Sequence, residues 1–157
     1  MRKSQIIRVS QDAPLRDQAW MDVDRLASVE VSSEESDYPI EAALLPEGKN
    51  GWRAAKPGMQ TIRLVFDEPQ KLRRIMLVFE DTENSRTQEF VLCWSPDIPH
   101  SPREIVRQQW NFSPPDSVRE IEDFPVELSE VKVLELVIVP DMRGGQVRAS
   151  LVSLRLA

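Results

Sequence analysis

Val131-Lys132-Val133-Leu134-Glu135-Leu136-Val137-Ile138-Val139 is the most β-prone stretch of this chain, with Leu134, Leu136 and Ile138 on one side. Apolar residues at every second position mark a strand with one face in a core, because successive side chains point to opposite faces. Working outward, Val147–Leu156 closes the chain with an apolar pattern that changes phase at Leu151-Val152, a sign of a bulge or of a bend between sheets. Arg143-Gly144-Gly145 between the two is a tight-turn signal. Upstream, Glu104–Phe112 alternates through Val106, Gln108, Trp110 and Phe112, and Thr87–Ser95 places Phe90, Leu92 and Trp94 together. Leu72–Phe79 begins polar and ends apolar on both faces, as a central strand covered on two sides does. Thr61–Phe66 aligns Ile62, Leu64 and Phe66, and Ala27–Ser33 carries two alternating valines.

These short strands, separated by turn residues, predict an all-β antiparallel sandwich or jelly roll. Helical signals are limited to Gln18–Leu26 and to Tyr38–Leu45, which follows the capping-type residues Ser36 and Asp37. Asp67-Glu68-Pro69 and Pro96–Pro102 read as loops inside one domain spanning 1–157, of which residues 1–25 form a partly irregular arm. Twelve prolines against five glycines suit shaped connections between strands.

Composition narrows the function. Hydrophobic residues make up 41% and charged ones 29%, the balance of a globular domain. A net charge of −6 argues against nucleic acid as partner, since phosphate neutralisation favours a basic surface. The single cysteine, Cys93, excludes an intrachain disulfide and a multi-cysteine zinc site, and beside Trp94 it reads as a small buried hydrophobe. The first residues lack the apolar core of a signal peptide, and no apolar run approaches the ~20 residues that span a membrane, so the expected location is the cytoplasm.

No motif points to catalysis. The one histidine, His100, lies in a proline-dense loop that favours an exposed side chain over a triad. The acidic runs, Glu34-Glu35-Ser36-Asp37, Glu80-Asp81-Thr82-Glu83 and Glu120-Ile121-Glu122-Asp123, read as solvated faces, and no phosphate-cradling glycine loop is present. The expectation is a non-enzymatic binding module without a cofactor or a metal. Charge is polarised: Arg53, Lys56, Arg63, Lys71, Arg73 and Arg74 sit in a stretch with only two acids, whereas Arg119 is the lone cation among six acids between Asp116 and Glu130. Either ion pairing across the sheet or a docking face explains this, and Arg73 and Arg74 are the docking candidates. Of the four tryptophans, Trp52 and Trp94 read as core, while Trp20 and Trp110 are open. An aromatic platform with a few polar groups suits a sugar, so Tyr38, Arg53, Trp110 and Arg143 are the ligand candidates.

The order Ser32-Ser33-Glu34-Glu35, Tyr38-Pro39-Ile40-Glu41-Ala42-Ala43-Leu44, Trp52-Arg53 and Leu64-Val65-Phe66, with the closing Ala149–Leu156, resembles the galactose-binding-like, coagulation-factor type C (discoidin) superfamily. The resemblance covers less than half the chain and implies a jelly-roll sandwich that binds ligands through loops at one end. Within that superfamily, Trp52–Gly58 is similar to a segment of the amino-terminal domain of the X-ray repair scaffold protein, which implies a protein-docking and nicked-DNA-binding module and adds Lys56 to Arg53 as a contact residue. Carbohydrate-binding members of the superfamily commonly hold a calcium ion with an Asp-Gly turn before the tryptophan and a glutamate in the final strand. Here those positions read Glu47-Gly48 and Ser153. The resulting expectation is carbohydrate or glycoconjugate binding, with cytoplasmic protein docking as the alternative.

Overall fold

The computed structural model describes residues 20–48, 50–98 and 101–157. In chain order the elements are α1 (Val23–Leu26), β1 (Ala27–Val31), α2 (Glu41–Leu44), β2 (Trp52–Pro57), β3 (Gln60–Glu80), β4 (Arg86–Ser95), β5 (Arg103–Phe112), β6 (Arg119–Val139), β7 (Arg148–Leu151) and β8 (Ser153–Leu156). Every pairing between them is antiparallel.

Two 21-residue strands, β3 and β6, organise the sandwich. Their register is regular from Gln60↔Ile138 to Val65↔Val133, slips between Val65 and Arg74, and resumes from Arg74↔Pro125 to Glu80↔Arg119. The first half of β3 pairs with β1, and the second half of β6 pairs with β4, which carries β5 on its other side. The second half of β3 pairs with β8 instead. The same two strands therefore serve both layers, bending at the irregular stretch. Asp67-Glu68-Pro69, expected to be a turn, is this bend: the chain does not reverse there. Pro69 has no N–H for the ladder and so sits where the ladder is interrupted.

The layers meet through aromatic rings. Phe79 of β3 stacks on Phe90 of β4 with centroids 5.4 Å apart, and Phe90 meets Phe124 of β6 at 6.3 Å. Trp52 is fully buried, and its indole N–H donates to Ser33 O at 3.0 Å. Ser32 and Ser33 both donate their hydroxyls to Gln60 Oε1, at 2.6 and 2.7 Å, while their oxygens accept from the amides of Thr61 and Ala55. The Ser-Ser pair thus fastens the end of β1 to both β2 and β3 and keeps the buried Gln60 side chain paired.

Several sequence expectations change. The chain from Arg119 to Glu130 is strand, not a solvated acidic segment, because Glu120, Glu122, Phe124, Val126 and Leu128 turn inward while Ile121 is 58% exposed. Alternation is present there with its polarity inverted at the first positions. The helical segments shrink to one turn each, and the first two residues of Gln18–Leu26 lie outside the described residues. Ser36 and Asp37 do not cap α2; Glu34 Oε1 accepts from the Ile40 amide at 2.9 Å instead. The turn at Gly144-Gly145 joins strands of different sheets, since β7 pairs with β2. The phase change at Leu151-Val152 is a switch between sheets: β7 lies on β2, and β8 lies on β3. Among the described residues no helix is long and apolar enough to cross a membrane.

Candidate functional site

A cleft of about 520 Å³ opens where the β1–β2, β3–β4 and β6–β7 connections converge at one end of the sandwich. One wall is Glu35, Tyr38, Asn50, Trp52 and Arg53, and a second is Glu80–Asn84 of the β3–β4 loop. The rest is Gln146–Arg148 and Ser150–Val152. Gly51 lets the first wall approach the β7–β8 switch. Its φ is +72°, and a Cβ there would lie 2.4 Å from Leu151 O.

Tyr38 and Arg53, two of the sequence candidates, meet in this cleft. The Arg53 guanidinium lies 4.2 Å from the centre of the Tyr38 ring, a cation–π stack. Backbone bonds hold the pair in place: the Arg53 amide donates to Tyr38 O at 3.1 Å, and Arg53 O accepts from the Glu35 amide at 2.9 Å. On the opposite wall, Asp81 accepts from the amides of Glu83 (2.8 Å) and Asn84 (3.0 Å) and from Arg86 Nε at 2.6 Å. Burial works against its charge, but the Glu83 amide, the Arg86 guanidinium and the Asn84 amide together hold its carboxyl below the usual range. Asp81 is therefore committed to shaping the loop.

The other candidates are placed elsewhere. Lys56 is exposed on β2 outside the cleft lining. Trp110 is half-buried on β5, against the core, with its indole nitrogen buried and without a hydrogen-bond partner among the described residues. Arg143 sits behind the β3–β4 loop, bonding Asp141 and Ser85 O. Arg74 is tied to Asp123 by two bonds of 2.9 and 2.7 Å and lies over the Trp20 ring at 4.7 Å. Arg63 likewise bridges Glu135 and Glu30, so much of the basic stretch is paired within the fold. Arg73 is exposed beside Lys71 and Pro125–Ser129. Cys93 is half-buried on β4, and burial pushes its thiol pKa up, away from reactivity. His100 lies outside the described residues.

Sequence reasoning missed the polar cluster beneath the cleft. Arg86 is buried against the Phe112 ring and donates to Asp81, Gln88 and Pro140 O. Gln88 Nε2 donates to Glu120 Oε1 at 3.2 Å, and Glu120 is 0% exposed. Burial, then the neighbouring Glu122 carboxyl, pushes Glu120 up to about 8. The Arg86–x–Gln88 spacing carried no signal of this, because the partners come from β4 and β6, more than 30 residues apart.

The calcium site implied by the resemblance does not fit the residues present. Arg155 of β8 places its guanidinium on the carbonyls of Ala43 (3.0 Å), Leu45 (3.1 Å) and Leu154 (3.1 Å), beside the turn that would hold the ion. Burial lowers its pKa, opposed by Glu47. A tethered cation bonds these oxygens already and would repel a divalent ion.

No family model matches the chain, and no curated protein matches it. Solved structures do. A galactose complex of the family 32 carbohydrate-binding module of Clostridium perfringens NanJ superimposes with a TM-score of 0.61 at 12% identity, covering 87% of this chain and 96% of that one. A second C. perfringens module, CpGH89CBM32-5 in complex with GalNAc-β-1,3-galactose, gives 0.66 at 15%, covering 87% and 98%. Reduced XRCC1 bound to the DNA polymerase β catalytic domain gives 0.62 at 14%, covering 84% and 95%. With the layers and their shared strands, these likenesses show the fold: the chain is an antiparallel β-sandwich of the kind these solved domains have.

Proposed function

We propose that the chain is a non-catalytic module that binds a carbohydrate or glycoconjugate in the cleft between Tyr38–Arg53 and the β3–β4 loop. The observation that carries this reading is the stacked Tyr38–Arg53 pair in a cleft lined mostly by polar residues. Sugars are recognised by ring-sized concave sites with convergent donors and acceptors, and Asn50, Asn84 and Gln146 supply both. Neighbours of the same fold bind galactose and GalNAc-β-1,3-galactose. Thermal-shift measurement against a panel of monosaccharides tests it. A ligand at about 100 times its dissociation constant adds ~2.7 kcal/mol of stability, a shift of several degrees. Tyr38→Ala should abolish that shift; a panel without any shift rejects the reading.

A second reading, protein docking in the cytoplasm, is favoured by one observation. Lys71 and Arg73 stand exposed beside Pro125–Ser129, without a carboxylate partner among the described residues. A neighbour of this fold is seen bound to a polymerase domain. A complex that weakens steeply with salt and with Arg73→Glu supports it, and salt-insensitive binding counts against it.

A further inference from the structure

The charges around the cleft are not equivalent. Arg148 is held by Glu35 at 2.8 Å, Arg119 by Glu80 at 3.0 Å and Arg86 by Asp81 at 2.6 Å. Each pair is a neutral unit of the wall. Arg53 differs: among the described residues its guanidinium makes no ion pair and no side-chain hydrogen bond, although it lines the cleft. It lies over the Tyr38 ring at 4.2 Å, and its N–H donors are left without a protein acceptor among the described residues. A guanidinium presents its donors in a plane, and two parallel N–H groups match the two oxygens of a carboxylate. Contact with the ring restricts the Arg53 side chain in advance, so less rotamer freedom is lost on binding.

We propose, on the basis of the carbohydrate reading above, that the cleft selects saccharides carrying a carboxylate, with Arg53 as the specificity-determining residue. The rest of the lining fits such a unit. Asn50, Asn84 and Gln146 can donate to or accept from hydroxyls, and Glu83, unpaired among the described residues, accepts from them. One free arginine faces a cleft that also holds Glu83, so a single negative charge matches it better than a phosphate dianion does. A neutral sugar leaves the Arg53 fork in water and forgoes its charge-assisted bonds.

The test is calorimetric titration of the whole chain with matched pairs: galactose and galacturonate, glucose and glucuronate, mannose and mannuronate, with galactose 6-sulfate as a further anion, at low salt and pH 7. At least one uronate should bind about tenfold more tightly than its neutral partner, equivalent to ~1.4 kcal/mol. Arg53→Gln should weaken uronate binding about tenfold more than binding of the matched neutral sugar, and Arg53→Lys should restore only a small part of the difference. An unchanged unfolding midpoint shows that the variants are folded. Equal binding within every pair, or a preference that survives Arg53→Gln, overturns this inference and leaves the carbohydrate reading standing. Sulfate bound as well as the uronate overturns the carboxylate selectivity. Absence of binding by every sugar overturns both readings.

Discussion

Replacing Glu120 with glutamine separates a buried neutral acid from a buried charge. In the fold, Oε1 of Glu120 accepts from Gln88, and Oε2 is buried without a donor. An oxygen in that position is explained if it carries the proton and directs it toward Glu122, whose carboxyl, after burial, is what raises Glu120 to about 8. An unfolded glutamate loses its proton near 4.5. Because the folded pKa is the higher one, the stability contributed by the protonated form is full below pH 4.5. It falls as pH rises and is lost by about pH 8. Each unit in that window is worth about 1.4 kcal/mol. Glutamine keeps the acceptor for Gln88 and offers Glu122 an N–H, without a proton to lose. Glu120→Gln should therefore match wild type near pH 5 and exceed it by about 2–4 kcal/mol near pH 8. Urea unfolding at pH 5, 6, 7 and 8 measures this, since groups common to both proteins cancel in the difference. A difference that stays flat with pH, or a variant less stable at pH 8, refutes the reasoning: Glu120 would then be an ionised partner of the nearby Arg86.

Four further outcomes follow from the same coordinates. Phe90→Ala removes the ring joining Phe79 to Phe124 across the layers and should cost about 3–5 kcal/mol in denaturant titration, whereas a loss below 1 would mean the layers do not meet there. Gly51→Ala forces a Cβ onto Leu151 O at a positive φ and should lower stability by roughly 2 kcal/mol or more, read as a drop in melting temperature. Arg155→Met strands the carbonyls of Ala43 and Leu45 and should cost about 1–3 kcal/mol; the wild-type melting temperature should not move with calcium or chelator, and a calcium-dependent rise would reject the assignment of Arg155. Lys56→Ala and Arg143→Ala lie off the cleft lining and should leave the affinity for any sugar ligand unchanged in titration.

The strands with an apolar inner face were legible because burial imposes a period of two on their sequence. Trp52 read as core from its place beside those strands, and it is 1% exposed. The first half of β6 was hidden because its inward positions begin with Glu120 and Glu122, and only a partner on another strand makes a buried carboxyl tolerable. β2 was hidden by its shortness and by Pro57, and the bend at Pro69 looked like a reversal because proline marks both. Of the ligand candidates, Tyr38 and Arg53 share one cleft, while Trp110 and Arg143 stand apart. Nothing in residue type distinguishes them, since a stack depends on where two loops end.

The sequence by itself determined the strands with an apolar inner face, the antiparallel sandwich and a break in phase at Leu151-Val152, all of which follow from local alternation and chain stiffness. Tertiary structure decided the rest: which arginines are neutralised, which carboxyl is buried, and which wall Arg53 faces. Those properties depend on distances between residues far apart in the chain, such as Arg148 and Glu35 or Arg155 and Ala43. Hydrogen bonds need contact at about 3 Å, and Coulomb attraction weakens with distance and screening, so both are fixed only when folding brings such pairs together.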